Sequence, residues 1–211
     1  MLNEEKIKVM KMKNVDALVE NYSYEEIANA LVLKGEKDGY KKITDKTKWR
    51  EPSMAKYLKG HVAFDKISAG KGSEKYGADA HDTYKGIMAE YKSKAVSDEE
   101  VRNLVGKVKN KKGDIYAPLT ISGIYNGAYG TKTDWKEAYA KHDHYFGVFH
   151  KERCVLIIKP HTEYVMSTLI ENDNNRKPGS TTNLNTVKVN LADTSLYELS
   201  YKDEEWFLDN K

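Results

Sequence analysis

The chain has 211 residues, with 35 Lys and Arg against 32 Asp and Glu for a formal net charge of +3, 39% hydrophobic residues, 32% charged residues and only 4 Pro. That length fits one domain or a main domain with a small appendage, and the composition excludes a multidomain machine, a collagen-like chain and a compositionally disordered one. No apolar run approaches the roughly 20 residues of a membrane helix, MLNEEKIKVMKMKN has charges where a signal peptide is apolar, and Cys154 by itself forms neither an internal disulfide nor a cysteine zinc site, so a cytoplasmic protein with no membrane contact is expected.

Residues 21 to 35, NYSYEEIANALVLKG, read as a helix with a Ser23/Glu26 capping box and a stop at Gly35. A basic loop follows, and Glu51-Pro52-Ser53 opens a second helical pattern with Met54, Tyr57 and Leu58 at helical spacing before Gly60. SYEEIANAL, followed by Trp49 and that second helix, resembles the helix-turn-helix of site-specific recombinases; packing helices without DNA contact are the plainer reading. From Lys34 to Lys75 there are 12 Lys and Arg against 6 acids, whereas Glu198 to Asn210 has five acids and one Lys. The basic excess therefore lies early in the chain, as a solvated face or a phosphate-contacting surface. Residues 1 to 60 are expected to form a helical segment for DNA binding or dimerisation, and 61 to 211 the main domain.

After the Gly-rich SAGKGSEKYGAD (68 to 79), IMAEYKSKAV (87 to 96) alternates as a strand. Ile87, Ala89, Tyr91 and Ser93 face one way, and Met88, Glu90, Lys92 and Lys94 the other. SDEEVRNLVGKVKN (97 to 110) reads as an amphipathic helix with a Ser97/Glu100 capping box, DIYAPLTIS (114 to 122) as a strand, and TDWKEAYAKHD (133 to 143) as a helix. YFGVFHKERCVLIIKP (145 to 160) reads as two strands turning near His150-Lys151-Glu152, with Cys154 buried among apolar neighbours. The order implies an α/β (α+β) fold with a central mixed β-sheet flanked by helices.

Asp79, Glu90 and Lys92 carry the chemistry. Hydrolysis of a phosphodiester needs charge neutralised on the phosphate and a hydroxide supplied, which a divalent cation held by two carboxylates provides. A neighbouring lysine can hold the attacking water in line. Glu90 and Lys92 share a strand face, and the Gly-containing turn can return Asp79 beside Glu90. Glu74 and Asp82 are alternates for a further ligand, or else ordinary turn residues. Asp79 with Glu90-Tyr91-Lys92 resembles the PD-(D/E)XK nuclease superfamily, with Ala78 where the proline would stand. GADAHDTYKGIMAEYKS (77 to 93) is similar to the corresponding phrase of PvuII-like type II restriction endonucleases, with one inserted residue. The resemblance implies a restriction-endonuclease-like fold, Mg2+ as cofactor with Asp79 and Glu90 as its ligands, Lys92 as the third catalytic residue, and a homodimer on palindromic double-stranded DNA.

For base reading, the polar LTISGIYNGAYGTKTD (119 to 134) offers Thr120, Ser122, Asn126 and Lys132, with Ser93 and Lys94 beside the E-X-K strand, and NDNNRKPGSTTNLN (172 to 185) offers a polar loop. Gly123-Ile124-Tyr125 looks like half of a GIY-YIG signature whose second half is missing. His142-Asp143-His144 suits a hydrogen-bonded role better than a metal site, and no Gly-Lys-Ser/Thr loop for a nucleoside triphosphate occurs at 68 to 77. A repair, recombination or phage-type nuclease, or a non-enzymatic DNA-binding protein, are the alternatives.

Overall fold

A computed structural model describes residues 50–51, 53–63, 78–105, 119–125, 134–176 and 185–210. The helix and basic loop expected over 21 to 49, Glu74, Asn126, Lys132 and the middle of the 172 to 185 loop lie outside the described residues.

The described strands are β1 (His61–Ala63), β2 (Ala80–Asp82), β3 (Ile87–Val96), β4 (Thr120–Ile124), β5 (Asp143–His150), β6 (Arg153–Pro160), β7 (Thr186–Asn190) and β8 (Tyr197–Lys202). The helices are α1 (Asp98–Val105), α2 (Asp134–Ala140), α3 (Thr162–Asn174) and α4 (Glu204–Asp209). Six strands form one sheet in the order β1-β2-β3-β5-β6-β8, and β4 and β7 form a separate two-stranded ribbon, a mixed α/β architecture. Among the described residues no helix is long and apolar enough to cross a membrane. The chain divides into two compact units, residues 1–91 with 141–143 and residues 92–140 with 144–211.

In the first unit β2 and β3 form an antiparallel hairpin with Ala80 opposite Ala89 and Asp82 opposite Ile87. Asp82 makes the turn: its Oδ1 accepts the N–H groups of Tyr84 (3.0 Å) and Lys85 (3.2 Å), an Asx turn that gives the backbone donors a side-chain acceptor. β1 adds on the far side, His61 opposite Asp82. Gly60, before β1, has φ +87°, and a Cβ there would lie 2.5 Å from Cδ2 of Tyr84. Only glycine meets both demands without strain.

In the second unit the Ser97 capping box is reciprocal, the Glu100 N–H donating to Ser97 Oγ (3.3 Å) and the Ser97 N–H to Glu100 Oε2 (3.0 Å). β5 is buried along its whole length and β6 over most of it, as continuous apolar runs such as CVLII require. They join through Lys151 (φ 47°) and Glu152 (φ 66°), two consecutive positive φ values that match the tight hairpin. Cys154 is buried on β6. The helix expected over 133 to 143 stops at Ala140, and Asp143 instead opens β5. The strand expected over 114 to 122 is found from Thr120 to Ile124; residues 114–118 are outside the described ones. Asn172 to Asn174, expected in a polar loop, close α3.

Candidate functional site

Asp79 precedes β2 by one residue and is tied to β3 on both sides of Glu90. Its N–H donates to the Ala89 carbonyl (2.9 Å), and its Oδ2 accepts the Tyr91 N–H (2.8 Å). The carboxylate thus does the work of a ladder acceptor where the strand pairing of β2 gives out, which fixes it beside the Glu90 backbone. Asp79 and Glu90 are both buried, 5% and 6% exposed. Burying charged carboxylates is costly unless partners or a cation offset the lost hydration. Two hard oxygen donors are what Mg2+ takes from a protein, the rest of its octahedron being water and substrate oxygens. The donor chemistry of Asp79 and Glu90 therefore fits that ion. Among the described residues no group of three or more His, Cys, Asp and Glu that could hold a metal is present.

Asp82, the alternate ligand, is turned to the other strand face. Side chains alternate along β3, so Ile87, opposite Asp82, shares its face with Ala89 and Tyr91 rather than with Glu90. On that face the Tyr91 hydroxyl lies 2.7 Å from His61 Nδ1, and His61 Nε2 lies 3.6 Å from Asp82 Oδ2. Lys85 reaches Asp82 at 3.8 Å and Asp143 at 3.2 Å. Asp82 closes a turn and a buried polar chain, and the structure does not bring it to Glu90.

Lys92 follows Glu90 by two positions on β3, and alternation sends both to the same face of that strand. Within the second unit its Nζ stands 4.8 Å from the centre of the Tyr125 ring. Lys94 is committed elsewhere, to Glu100 Oε1 at 3.0 Å and the Thr120 carbonyl at 3.4 Å; it is a bridge from β3 to α1 and β4. With that ion pair present, the Glu100 carboxyl sits below its ordinary range, chiefly because the Ser97 N–H hydrogen-bonds it. The Ser93 hydroxyl is buried without a hydrogen-bond partner.

The other base-reading candidates within the described residues lie on the β4–β7 ribbon. Ser122 is exposed and Thr120 half-buried. Ser122 is opposite Lys188, Thr120 opposite Asn190 and Ile124 opposite Thr186, so the outward face carries Ser, Lys, Thr, Asn and one Ile. α3 braces the free edge of β7: Tyr164 Oη donates to the Lys188 carbonyl (2.6 Å) and Asn172 Nδ2 to the Thr186 carbonyl (3.2 Å). β7 is not among the elements expected from the sequence although TVKVN carries a local signal, the alternation that buries Val187 and Val189; only its pairing with the distant β4 is not legible there.

His142, Asp143 and His144 are all buried and form no metal cluster. His144 Nε2 is 2.9 Å from the Tyr139 carbonyl and its Nδ1 3.0 Å from the Tyr125 hydroxyl. His150 bonds Asp98 at 2.7 Å and accepts the Trp206 indole N–H at 3.2 Å. Compared with protein-family models the chain matches none. Compared with curated proteins it also has no match.

Proposed function

We propose that the protein is a Mg2+-dependent, site-specific DNA endonuclease of the type II restriction class, with a PD-(D/E)XK fold. The reading is carried by one observation: Asp79 is clamped on β3 at Ala89 and Tyr91, the two neighbours of Glu90, so two buried carboxylates share one short stretch of strand pair. Glu90-Tyr91-Lys92 then supplies an ammonium on the Glu90 face of the same strand.

Asp79 and Glu90 would hold the ion. When bound, Mg2+ neutralises charge on the scissile phosphate and makes a water acidic enough to attack at neutral pH. Asp79 is held by backbone hydrogen bonds rather than by loose packing, which keeps its carboxylate in place before substrate arrives. The Lys92 ammonium donates to the attacking water and orients it, and adds positive charge where negative charge develops on the phosphorane. As the new P–O bond forms, the attacking water gives up a proton to solvent, the P–O bond to the leaving sugar breaks, and the leaving oxygen takes a proton from a solvent water.

The ribbon supports sequence readout over indiscriminate cutting. A two-stranded antiparallel ribbon fits the DNA major groove, and the outward Ser122, Lys188, Thr186 and Asn190 are donors and acceptors for base edges. One chain carries one Asp79-Glu90-Lys92 set, so cutting both strands of a palindrome calls for a homodimer.

Incubating the protein with a large unmethylated phage DNA and Mg2+, beside a chelator control and Glu90→Gln, tests this. Discrete metal-dependent fragments absent from the variant are expected. A smear moves the assignment to a repair, recombination or phage-type nuclease, and uncut DNA that shifts in a gel makes the protein a binding module.

A further inference from the structure

Lys92 has a long, flexible stem, and a lysine that must orient a water loses rate if its head wanders among rotamers. Two neighbours in the second unit restrict it. At Gly123 on β4, an added Cβ would lie 2.8 Å from Lys92 Cγ and 2.6 Å from Phe146 Cζ. The absence of a side chain at that position leaves the channel through which the lysine stem passes. Beyond it, Tyr125 presents its ring face to the ammonium at 4.8 Å, within the range of an attractive cation–π contact.

Tyr125 is itself fixed. It is fully buried, and so is His144. A carbonyl only accepts, so His144 Nε2 carries the proton donated to the Tyr139 carbonyl. In the neutral ring Nδ1 is then the acceptor, and the Tyr125 hydroxyl donates to it. The Tyr139 and His144 rings also pack edge-on against Tyr125 at 5.2 and 5.5 Å. The ring has one hydroxyl direction and two walls, so its face stays where the ammonium needs it.

We infer that Gly123 and Tyr125 form a cradle that positions the Lys92 side chain, with His144 holding the Tyr125 ring. Gly123 and Tyr125 are thus positioning residues that act through Lys92, and their effect on cleavage rests on the nuclease reading above. Gly123-Ile124-Tyr125, which has no second half to make a GIY-YIG site, finds its use here: Gly123 and Tyr125 point inward and the half-exposed Ile124 outward.

The test combines two readouts on protein carrying 13C-labelled lysine, with the Lys92 signal identified by its loss in Lys92→Met. The first is the shift of the Lys92 ε-CH2 protons, which an aromatic face moves upfield whether or not the protein cuts DNA. The second is single-turnover cleavage with DNA affinity measured in parallel. In wild type and Tyr125→Phe the ε-protons are expected upfield of the other lysines, and in Tyr125→Leu and Gly123→Ala at the ordinary position. The cleavage rate is expected to fall roughly 3- to 30-fold in Tyr125→Leu, the worth of one cation–π contact, with DNA affinity unchanged and most of the rate restored in Tyr125→Phe. An ordinary Lys92 shift in wild type, which needs no variant to fold, overturns the cradle. So does a Tyr125→Leu protein that cuts at the wild-type rate. Wild type that shows the upfield shift but cuts nothing overturns the nuclease reading and leaves the cradle standing.

Discussion

Substituting Asp79 separates two jobs that one carboxylate performs. Its Oδ2 is the acceptor for the Tyr91 N–H at 2.8 Å in a buried setting, and its charge is one half of the proposed ligand pair. Asp79→Ala removes both. Taking the acceptor from a buried backbone donor costs about 1–3 kcal/mol, and a chain of this size loses about 2–4 °C of melting temperature per kcal/mol, so a midpoint cost of about 2 kcal/mol lowers Tm by about 4–8 °C in chelator. Asp79→Asn keeps an oxygen for the Tyr91 N–H and removes only the charge. Its Tm in chelator is expected within about 2 °C of wild type, with any change upward, because one of two neighbouring buried carboxylates is gone. Adding Mg2+ or Ca2+ then separates the second job: at ten times its Kd a ligand stabilises by about 1.4 kcal/mol, or about 3–6 °C. That rise is expected in wild type and in neither variant. Differential scanning fluorimetry with and without the ion reads all of it. Asp79→Ala melting with wild type in chelator refutes the acceptor argument, and a full divalent shift in Asp79→Asn refutes the ligand assignment.

Three further outcomes follow from particular contacts. Gly60→Ala, forced to a φ of +87° and into the Tyr84 ring, is expected to cost about 2 kcal/mol in a urea titration; adding Tyr84→Ala should recover the steric share and leave the backbone share, and a neutral Gly60→Ala contradicts the account. At Asp203, burial raises the pKa, but hydrogen bonds from Arg153 at 2.6 and 2.8 Å and from the Trp206 N–H outweigh it and hold the carboxyl below its usual range. A lowered carboxylate stabilises above its unfolded value of about 4 and stops doing so as pH falls through the folded value. The Tm advantage of wild type over Asp203→Asn should thus be full at pH 6 and shrink below about pH 4, and it should be small, since half of the Arg153 side chain is in solvent; an advantage that grows on acidification has the wrong sign. Cys154 is 1% exposed, and burial pushes its thiol well above the ordinary range. A thiol reagent is expected to label it completely in denaturant and, in the native protein, only as fast as the fold opens; prompt native labelling contradicts the placement.

Features carried by neighbouring residues were legible in the chain. β3 runs from Ile87 to Val96, the bounds that the alternation of IMAEYKSKAV marks, although Ala89, Glu90 and Tyr91 are all buried and both faces are covered there. The Ser97/Glu100 box and the turn at Lys151-Glu152 are equally local. Partners set by distant pairing were not. Whether Asp82 faces Glu90 depends on the β2–β3 register and on β1, where His61 draws Asp82 to the opposite face. Tyr125 meets Lys92, and His144 meets Tyr125, only once β4, β5 and the part of β3 from Lys92 onward lie in one unit, and nothing in the spacing of their residues announces that. Asp143 looked helical because TDWKEAYAKHD keeps its polar pattern to the end, but the strand takes it, with Lys85 on its carboxylate. The sheet and its helices follow from pattern; the Asp79-Glu90-Lys92 set is proposed from residue type and spacing. The supporting cradle came from packing.

The central claim, that Lys92 acts in DNA hydrolysis beside the Asp79-Glu90 pair, is tested most directly by single-turnover cleavage of a defined DNA by wild type and Lys92→Met, whose side chain keeps the stem against Gly123 and lacks the ammonium. The account predicts Mg2+-dependent cleavage that slows by at least about a hundredfold in the variant, at closely similar DNA affinity and melting temperature. Equal rates for the two proteins would contradict it.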